Sequence, residues 1–320
     1  MNTQINSLYR KYRPKSFSEV YGQEHITKTI QNQISKNKVD HAYLFCGTRG
    51  TGKTTVARIF AKTLNKSDSN EYGNIVELDA ATNNSIDNVR DLIEKTKYPP
   101  TAGSYKIYII DEVHMFSNSA FNALLKLIEE PSPYIVFILC TTEPHKLPQT
   151  IHSRVLRFDF RPIPQKELEK LLSNVFAQEK IKASQEAISE IAKSGNGSAR
   201  DTLSLAETVA AFAGDEELTI KHIEITRGSI STKTINELID YISLSQYEKI
   251  IELTETIFNT SVNPTILIND ILKTLKERFL STKKKNIIDA YKIFAELEQT
   301  IKTSPNAKTL FEGACLYAAG

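Results

Sequence analysis

Through its first half the chain alternates short apolar runs with longer stretches whose apolar positions recur every three or four residues. This is the pattern of a parallel sheet with crossover helices. Residues 42–46, 75–79, 107–111 and 135–141 read as buried strands, each apolar and each ending where polar residues or glycine begin. A shorter fifth strand fits residues 155–160. The spacing predicts helices over residues 54–64, 86–95 and 119–130, the last stopped by Pro131 and Pro133. After Arg161-Pro162-Ile163-Pro164 the strand signal ends and the helical period takes over, which marks a domain boundary. Helices are expected over 165–178, 184–194 and 199–213, broken by Gly195-Asn196-Gly197. Beyond Gly214-Asp215 a polar connection leads to five more, over 233–243, 246–259, 264–280, 286–302 and 307–318. Ile266, Ile268, Ile271, Leu272, Leu275 and Phe279 show the wide apolar stripe of that tail. The expected division is 1–162, 163–226 and 227–320.

Composition narrows the class. With 40% hydrophobic and 24% charged residues, the 320-residue chain has globular proportions and a core to bury. Forty Lys and Arg against 38 Asp and Glu leave a net charge of +2, so nucleic-acid binding would have to come from local patches. Cys46, Cys140 and Cys315 are too few and too scattered for a disulfide framework or a zinc site, and read as packing residues in a reducing compartment. The first nine residues carry no apolar signal core, and no stretch approaches the roughly 18 apolar residues of a membrane span. The expectation is a soluble, cytoplasmic protein.

Gly47-Thr48-Arg49-Gly50-Thr51-Gly52-Lys53-Thr54 matches the GxxxxGK[ST] phosphate-binding loop at every fixed position. It lies between a buried strand and a helix, where backbone N–H groups and the positive helix end converge on phosphates. Lys53 can neutralise the β- and γ-phosphates, and the Thr54 hydroxyl can ligate Mg²⁺. Asp111 and Glu112 end the 107–111 strand, where carboxylates face the ligand crevice of an open α/β sheet. Asp111 is the expected Mg²⁺ partner and Glu112 the base that polarises water. His114 reads equally as packing or as part of the site. Thr141-Thr142 ends the next strand, where a hydroxyl could sense the γ-phosphate. Arg154 and Arg200 would each, alone, read as surface arginines.

Six motifs in order give these residues a context: Leu8-Tyr9-Arg10-Lys11-Tyr12-Arg13-Pro14, Tyr21-Gly22-Gln23, His41-Ala42-Tyr43-Leu44-Phe45 with the phosphate loop, Asp111-Glu112-Val113-His114-Met115, Phe121-Asn122-Ala123-Leu124-Leu125-Lys126, and Thr141-Thr142-Glu143-Pro144-His145-Lys146. Together they resemble the bacterial DNA polymerase III gamma/tau family, the AAA+ ATPases of the sliding-clamp loader. The resemblance is dense from Leu8 to about Ala213 and covers the tail by length and pattern. It implies an α/β AAA+ P-loop NTPase domain, a parallel sheet with flanking helices, then a small helical lid and an all-α oligomerisation collar. It implies Lys53, Asp111, Glu112, Thr142 (first sensor), Arg154 (arginine finger reaching a neighbouring subunit) and Arg200 (second sensor) as catalytic groups. Tyr12, Arg13, Val20 and Tyr21 resemble the adenine-pocket segment; Gly47, Thr48, Arg49, Gly50, Thr51, Gly52, Lys53, Thr54 and Thr55 would hold the phosphates, with Thr54 and Asp111 on Mg²⁺. Implied partners are the delta and delta-prime subunits, further gamma/tau copies, the sliding clamp and primed template DNA, the last near Asn84, Ser85, Arg90, Asn118 and Ser119 by phosphate contacts.

Two departures stand out. The family's four zinc-binding cysteines are missing between residues 65 and 74, so ATP and Mg²⁺ are expected and structural zinc is not. The family's Ser-Arg-Cys is Ser153-Arg154-Val155 here, which leaves the arginine in place. The chain ends at Gly320 without a Pro-rich charged extension and looks gamma-length. Lys283-Lys284-Lys285 reads as a solvated loop. No polymerase domain is visible. The alternatives are a non-hydrolysing clamp-loader scaffold and another AAA+ recombination or helicase-loading ATPase.

Overall fold

The computed structural model describes residues 7–65, 73–82, 86–101, 105–260, 262–302 and 304–320, with the side chains of 86–88 outside the description. Ala42–Cys46 (β1), Ile75–Asp79 (β2), Lys106–Asp111 (β3), Ile135–Thr141 (β4) and Leu156–Asp159 (β5) form one sheet. Its order is β2-β3-β4-β1-β5, with every neighbouring pair parallel. Strands covered on both faces need apolar residues at successive positions, which explains why β1 and β4 are unbroken apolar runs.

Alternation sorts those runs into two cores. Leu44, Tyr108, Ile110, Phe137 and Leu139 point to one face, against Val89 and Leu92 of Ile86–Thr96 (α4) and Phe121, Leu124 and Ile128 of Asn118–Glu129 (α5). Tyr43, Phe45, Ile107, Ile109, Val136 and Ile138 point to the other, against Ile26 and Ile30 of Glu24–Ser35 (α2) and Val56, Ile59 and Phe60 of Lys53–Asn65 (α3). Helix α2 lies outside the sequence expectation. Its stripe is one isoleucine per turn, Ile26, Ile30 and Ile34, set among polar residues. Short helices Leu8–Lys11 (α1) and Gln149–His152 (α6) complete this part. Then come Gln165–Glu179 (α7), Gln185–Ser194 (α8) and Ala199–Ala213 (α9).

Two compact units emerge. The first runs through Lys180 and includes Ile188–Glu207. The second comprises Ile181–Ala187 and Thr208–Gly320. It contains Ile220–Arg227 (α10), Thr232–Ser243 (α11), Tyr247–Phe258 (α12), Pro264–Thr282 (α13), Lys285–Ile301 (α14) and Ala307–Ala319 (α15). Helix α10 occupies the stretch expected as a polar connection, started by a capping box in which Thr219 and His222 bond each other's backbone N–H. Asn263 caps α13 by accepting from Thr265 and Ile266 N–H, with Pro264 at the first turn, where its missing donor costs nothing. Phe294 and Phe311 are fully buried, their ring centroids 5.9 Å apart, at the centre of the second unit. Among the described residues no helix is long and apolar enough to cross a membrane.

Phe294→Ala is expected to cost the second unit about 3–5 kcal/mol by leaving a cavity. Leu280→Ala, at a side chain 67% exposed, should stay within about 0.5 kcal/mol. Urea unfolding followed by circular dichroism checks both.

Candidate functional site

Strand β1 delivers the chain into a loop whose shape only glycine allows at two points. Gly50 has φ +75°, and a Cβ there would lie 1.9 Å from Ser198 Oγ; at Gly47 a Cβ would lie 2.5 Å from the Phe160 carbonyl. Residues 198–200, at the start of α9, therefore sit directly on the loop, and Ala199 N–H donates to the Gly50 carbonyl at 3.1 Å. Within the loop Thr51 Oγ1 donates to Thr48 O at 2.8 Å. Lys53 Nζ donates to the carbonyls of Gly47 at 2.8 Å and Thr48 at 2.9 Å. Gln23, fully buried, donates to Arg161 O at 2.7 Å and Thr51 O at 3.4 Å, and accepts from Arg161 N–H at 3.3 Å.

Two charged groups meet at the first turn of α3. Burial lowers the pKa of Lys53, against the opposing pull of Glu112 and Asp111, and burial raises that of Asp111. Thr54 Oγ1 donates to Asp111 Oδ2 at 2.8 Å, so a hydroxyl and a carboxylate oxygen stand side by side. Such hard oxygen donors suit Mg²⁺ shared with phosphates. Glu112 follows with φ +47°, an uncommon value away from glycine, and its backbone N–H donates to Asp111 Oδ1 at 3.1 Å. Its carboxylate accepts from both Thr142 N–H, at 3.2 Å, and Thr142 Oγ1, at 2.9 Å.

These residues line a cavity of about 440 Å³. Tyr12, Arg13, Val20 and Tyr21 form one wall, residues 49–55 another, and Asp111 and Glu112 contribute from the end of β3 and Arg200 from α9. Gly47 and Thr48 lie outside the lining and act through their carbonyls on Lys53. Thr142 touches Glu112 rather than the cavity. Arg154 stands apart: its Nε pairs with Glu129 Oε1 at 2.9 Å, and its Nη1 donates to Thr150 O at 2.6 Å. Tyr9 was legible only as part of a motif, yet it lines the cavity with the Arg200 guanidinium 5.0 Å from its ring centroid. Asp79, Leu171 and Leu203 also line it, and nothing in their local sequence marks them. Of the expected DNA positions, Asn118 and Ser119 begin α5 and Arg90 is exposed on α4; Asn84 and Ser85 lie outside the described residues, as does 66–72 of the cysteine-free stretch. Lys283 and Lys284 are exposed between α13 and α14.

A family model described as "DNA polymerase III, delta subunit" matches residues 22–164, and one described as "DNA polymerase III clamp loader subunit, ATPase lid domain" matches residues 167–215. DNA polymerase III subunit tau of Bacillus subtilis is 37% identical over 329 residues, covering 96% of this chain and 58% of that protein. DNA polymerase III subunit gamma of Buchnera aphidicola is 36% identical over 287 residues, covering 84% of this chain and 77% of that one. Against the tau/gamma subunit of Haemophilus influenzae the identity is 42%, with only 33% of that protein spanned. The chain thus spans about half the length of the longer curated relatives. Among solved structures, the Thermotoga maritima RuvB Holliday junction branch migration motor superposes with a TM-score of 0.56 at 21% identity, covering 73% of this chain and 80% of that one. The likeness is one of fold, and that fold is the AAA+ one.

Gly50→Ala is expected to weaken nucleotide binding about ten-fold or more, because a left-handed backbone costs a side chain about 1–2 kcal/mol before the Ser198 clash is counted. Titration with a fluorescent ATP analogue measures it.

Proposed function

Since this chain belongs to the bacterial DNA polymerase III gamma/tau family of clamp-loader subunits, we propose that it is the ATP-driven motor of a replication clamp loader. In this reading it binds and hydrolyses ATP to open a sliding clamp and load it onto primed DNA. It works with delta, delta-prime and further gamma/tau copies in the cytoplasm, and phosphodiester synthesis belongs to a partner. The observation that supports the reading most is the convergence of Lys53, Thr54, Asp111, Glu112 and Arg200 on one cavity beside a glycine-shaped loop.

Each group has a task that its surroundings suit. The loop N–H groups and the amino end of α3 receive the triphosphate, and Lys53, poorly hydrated and held at the loop, offsets its charge. Tyr12, Arg13, Val20 and Tyr21 receive the adenine. Thr54 and Asp111 would hold Mg²⁺, which when bound neutralises phosphate oxygens and orients them. Glu112 takes the proton of the attacking water, and Thr142 relates its position to the γ-phosphate. Arg200 carries the state of the lid to the nucleotide. Arg154, lying outside its own cavity, serves the nucleotide of a neighbouring copy, so hydrolysis depends on assembly. Residues 1–162 are the ATPase domain, 163–226 the lid and 227–320 the collar, and no structural zinc is required.

Lys53→Ala should abolish ATP binding by the chain; lysine-independent or absent binding in the wild type would mark a non-hydrolysing scaffold instead. Arg154→Ala should leave ATP binding intact and slow turnover of the assembled complex by about 10³ or more. Equal loss of binding and turnover would make Arg154 structural, and an ATPase indifferent to both ring clamp and primed DNA would overturn the loader assignment.

A further inference from the structure

His114 follows the acidic pair in sequence but lines no part of the cavity, and its side chain is only 6% exposed. Each of its ring nitrogens nevertheless meets a residue of the hydrolytic end of the sheet. Nε2 is 3.0 Å from Glu143 Oε2. Nδ1 is 3.0 Å from Thr141 Oγ1 and 3.4 Å from Glu112 Oε2. Glu143 is kept ionised by the hydrogen bond from Lys146, whose Nζ lies 2.8 Å from the same oxygen. An ionised carboxylate only accepts, so Nε2 of the imidazole carries the proton. In the neutral ring Nδ1 is then an acceptor, and it takes the hydroxyl hydrogen of Thr141, whose oxygen in turn accepts Glu143 N–H at 3.0 Å. The chain of donors closes with none left over for Glu112.

This arrangement bears on the base. Glu112 Oε2 has two donors, both on Thr142, and a third neighbour in the His114 Nδ1 edge. With the opposite tautomer Nδ1 would donate to that oxygen and compete for the lone pair needed to take a proton from water. We propose that His114 is a positioning residue for hydrolysis: anchored through Nε2 to Glu143 and through Nδ1 to Thr141, its ring packs beside Glu112 Oε2 without donating to it, and so bounds the place of that carboxylate while leaving its lone pair free. The proposal rests on Glu112 being the base, as in the function proposed above. One ring thereby relates the ends of β3 and β4: it bonds the anchor and Thr141 and packs against the base.

The test uses the chain assembled with its partner subunits, measuring ATP turnover and, separately, the affinity for a labelled ATP analogue. Glu112→Gln is the control for the underlying reading. His114→Ala and Glu143→Ala are each expected to lower kcat about ten-fold, well short of the 10²–10⁴ carried by an acid–base group itself, with nucleotide affinity unchanged within about two-fold. The double variant should fall no further than His114→Ala, because Glu143 acts only through the ring. Additive losses, or an unchanged kcat in His114→Ala while Glu112→Gln is inactive, overturn the proposal. Parallel loss of thermal stability and nucleotide affinity in His114→Ala also overturns it, by making the residue a packing group. Full turnover in Glu112→Gln overturns the base assignment itself and is told apart by that variant alone.

Discussion

Everything in the site hangs on the register of parallel strands. Cys46 pairs with Thr141, Ile110 with Leu139 and Asp79 with Asp111, so the phosphate loop, the acidic pair and the Thr141-Thr142 pair leave the sheet at one edge. Strand β4 separates the strand bearing the loop from the strand bearing the acids. Thr54 therefore reaches Asp111 across it from the first turn of α3, and Thr142 reaches Glu112 from its end. A slip of one residue in either ladder would turn those side chains to the opposite face and exchange the two cores. The fully buried tyrosines, phenylalanines and isoleucines of β1, β3 and β4 make such a slip costly.

The same burial that holds the register sets the electrostatics of the site. Lys53 and Asp111 are both drawn toward their neutral forms by loss of water, and each is drawn back by the other's charge. Two half-compensated charges are a standing cost to stability, accepted because a highly charged ligand must be received without bulk water. Cys46, raised to about 11, and Cys140, raised well above an ordinary thiol, sit nearby, and burial keeps both protonated and inert. The left-handed Glu112 belongs with these costs: its backbone is strained at the point where the carboxylate must leave the strand and meet Thr142.

Much of this was legible in the chain itself. Strands β1, β2 and β4 keep the expected bounds because their apolar runs end abruptly at glycine or polar residues. The loop was legible because few residue types tolerate its backbone. Helix α2 was not, since Ile26, Ile30 and Ile34 give one apolar position per turn, too thin a stripe to stand out beside the helices that bury a wide face. Helix α10 was hidden by its polar surroundings and by a cap built from threonine and histidine. The links between His114 and Glu143 and between Arg154 and Glu129 join residues distant in sequence, and nothing in local pattern foretells them. Tyr9 has a place in a motif, but its contact with the Arg200 guanidinium joins residues far apart in the chain and has no local signal.

Gln23 carries a different consequence. The group that ties the phosphate loop to the Arg161 strap is an uncharged amide, fully buried and using both its oxygen and its nitrogen. Ionic strength screens charge pairs at a surface but leaves a neutral bond in a dry interior untouched. The loop's shape is thereby insulated from the electrolyte around the protein, whereas surface pairs such as Arg154 with Glu129 weaken as salt rises. The shape of the loop and the freedom of that arginine thus answer to different features of the medium, and brine can loosen one while leaving the other as it was.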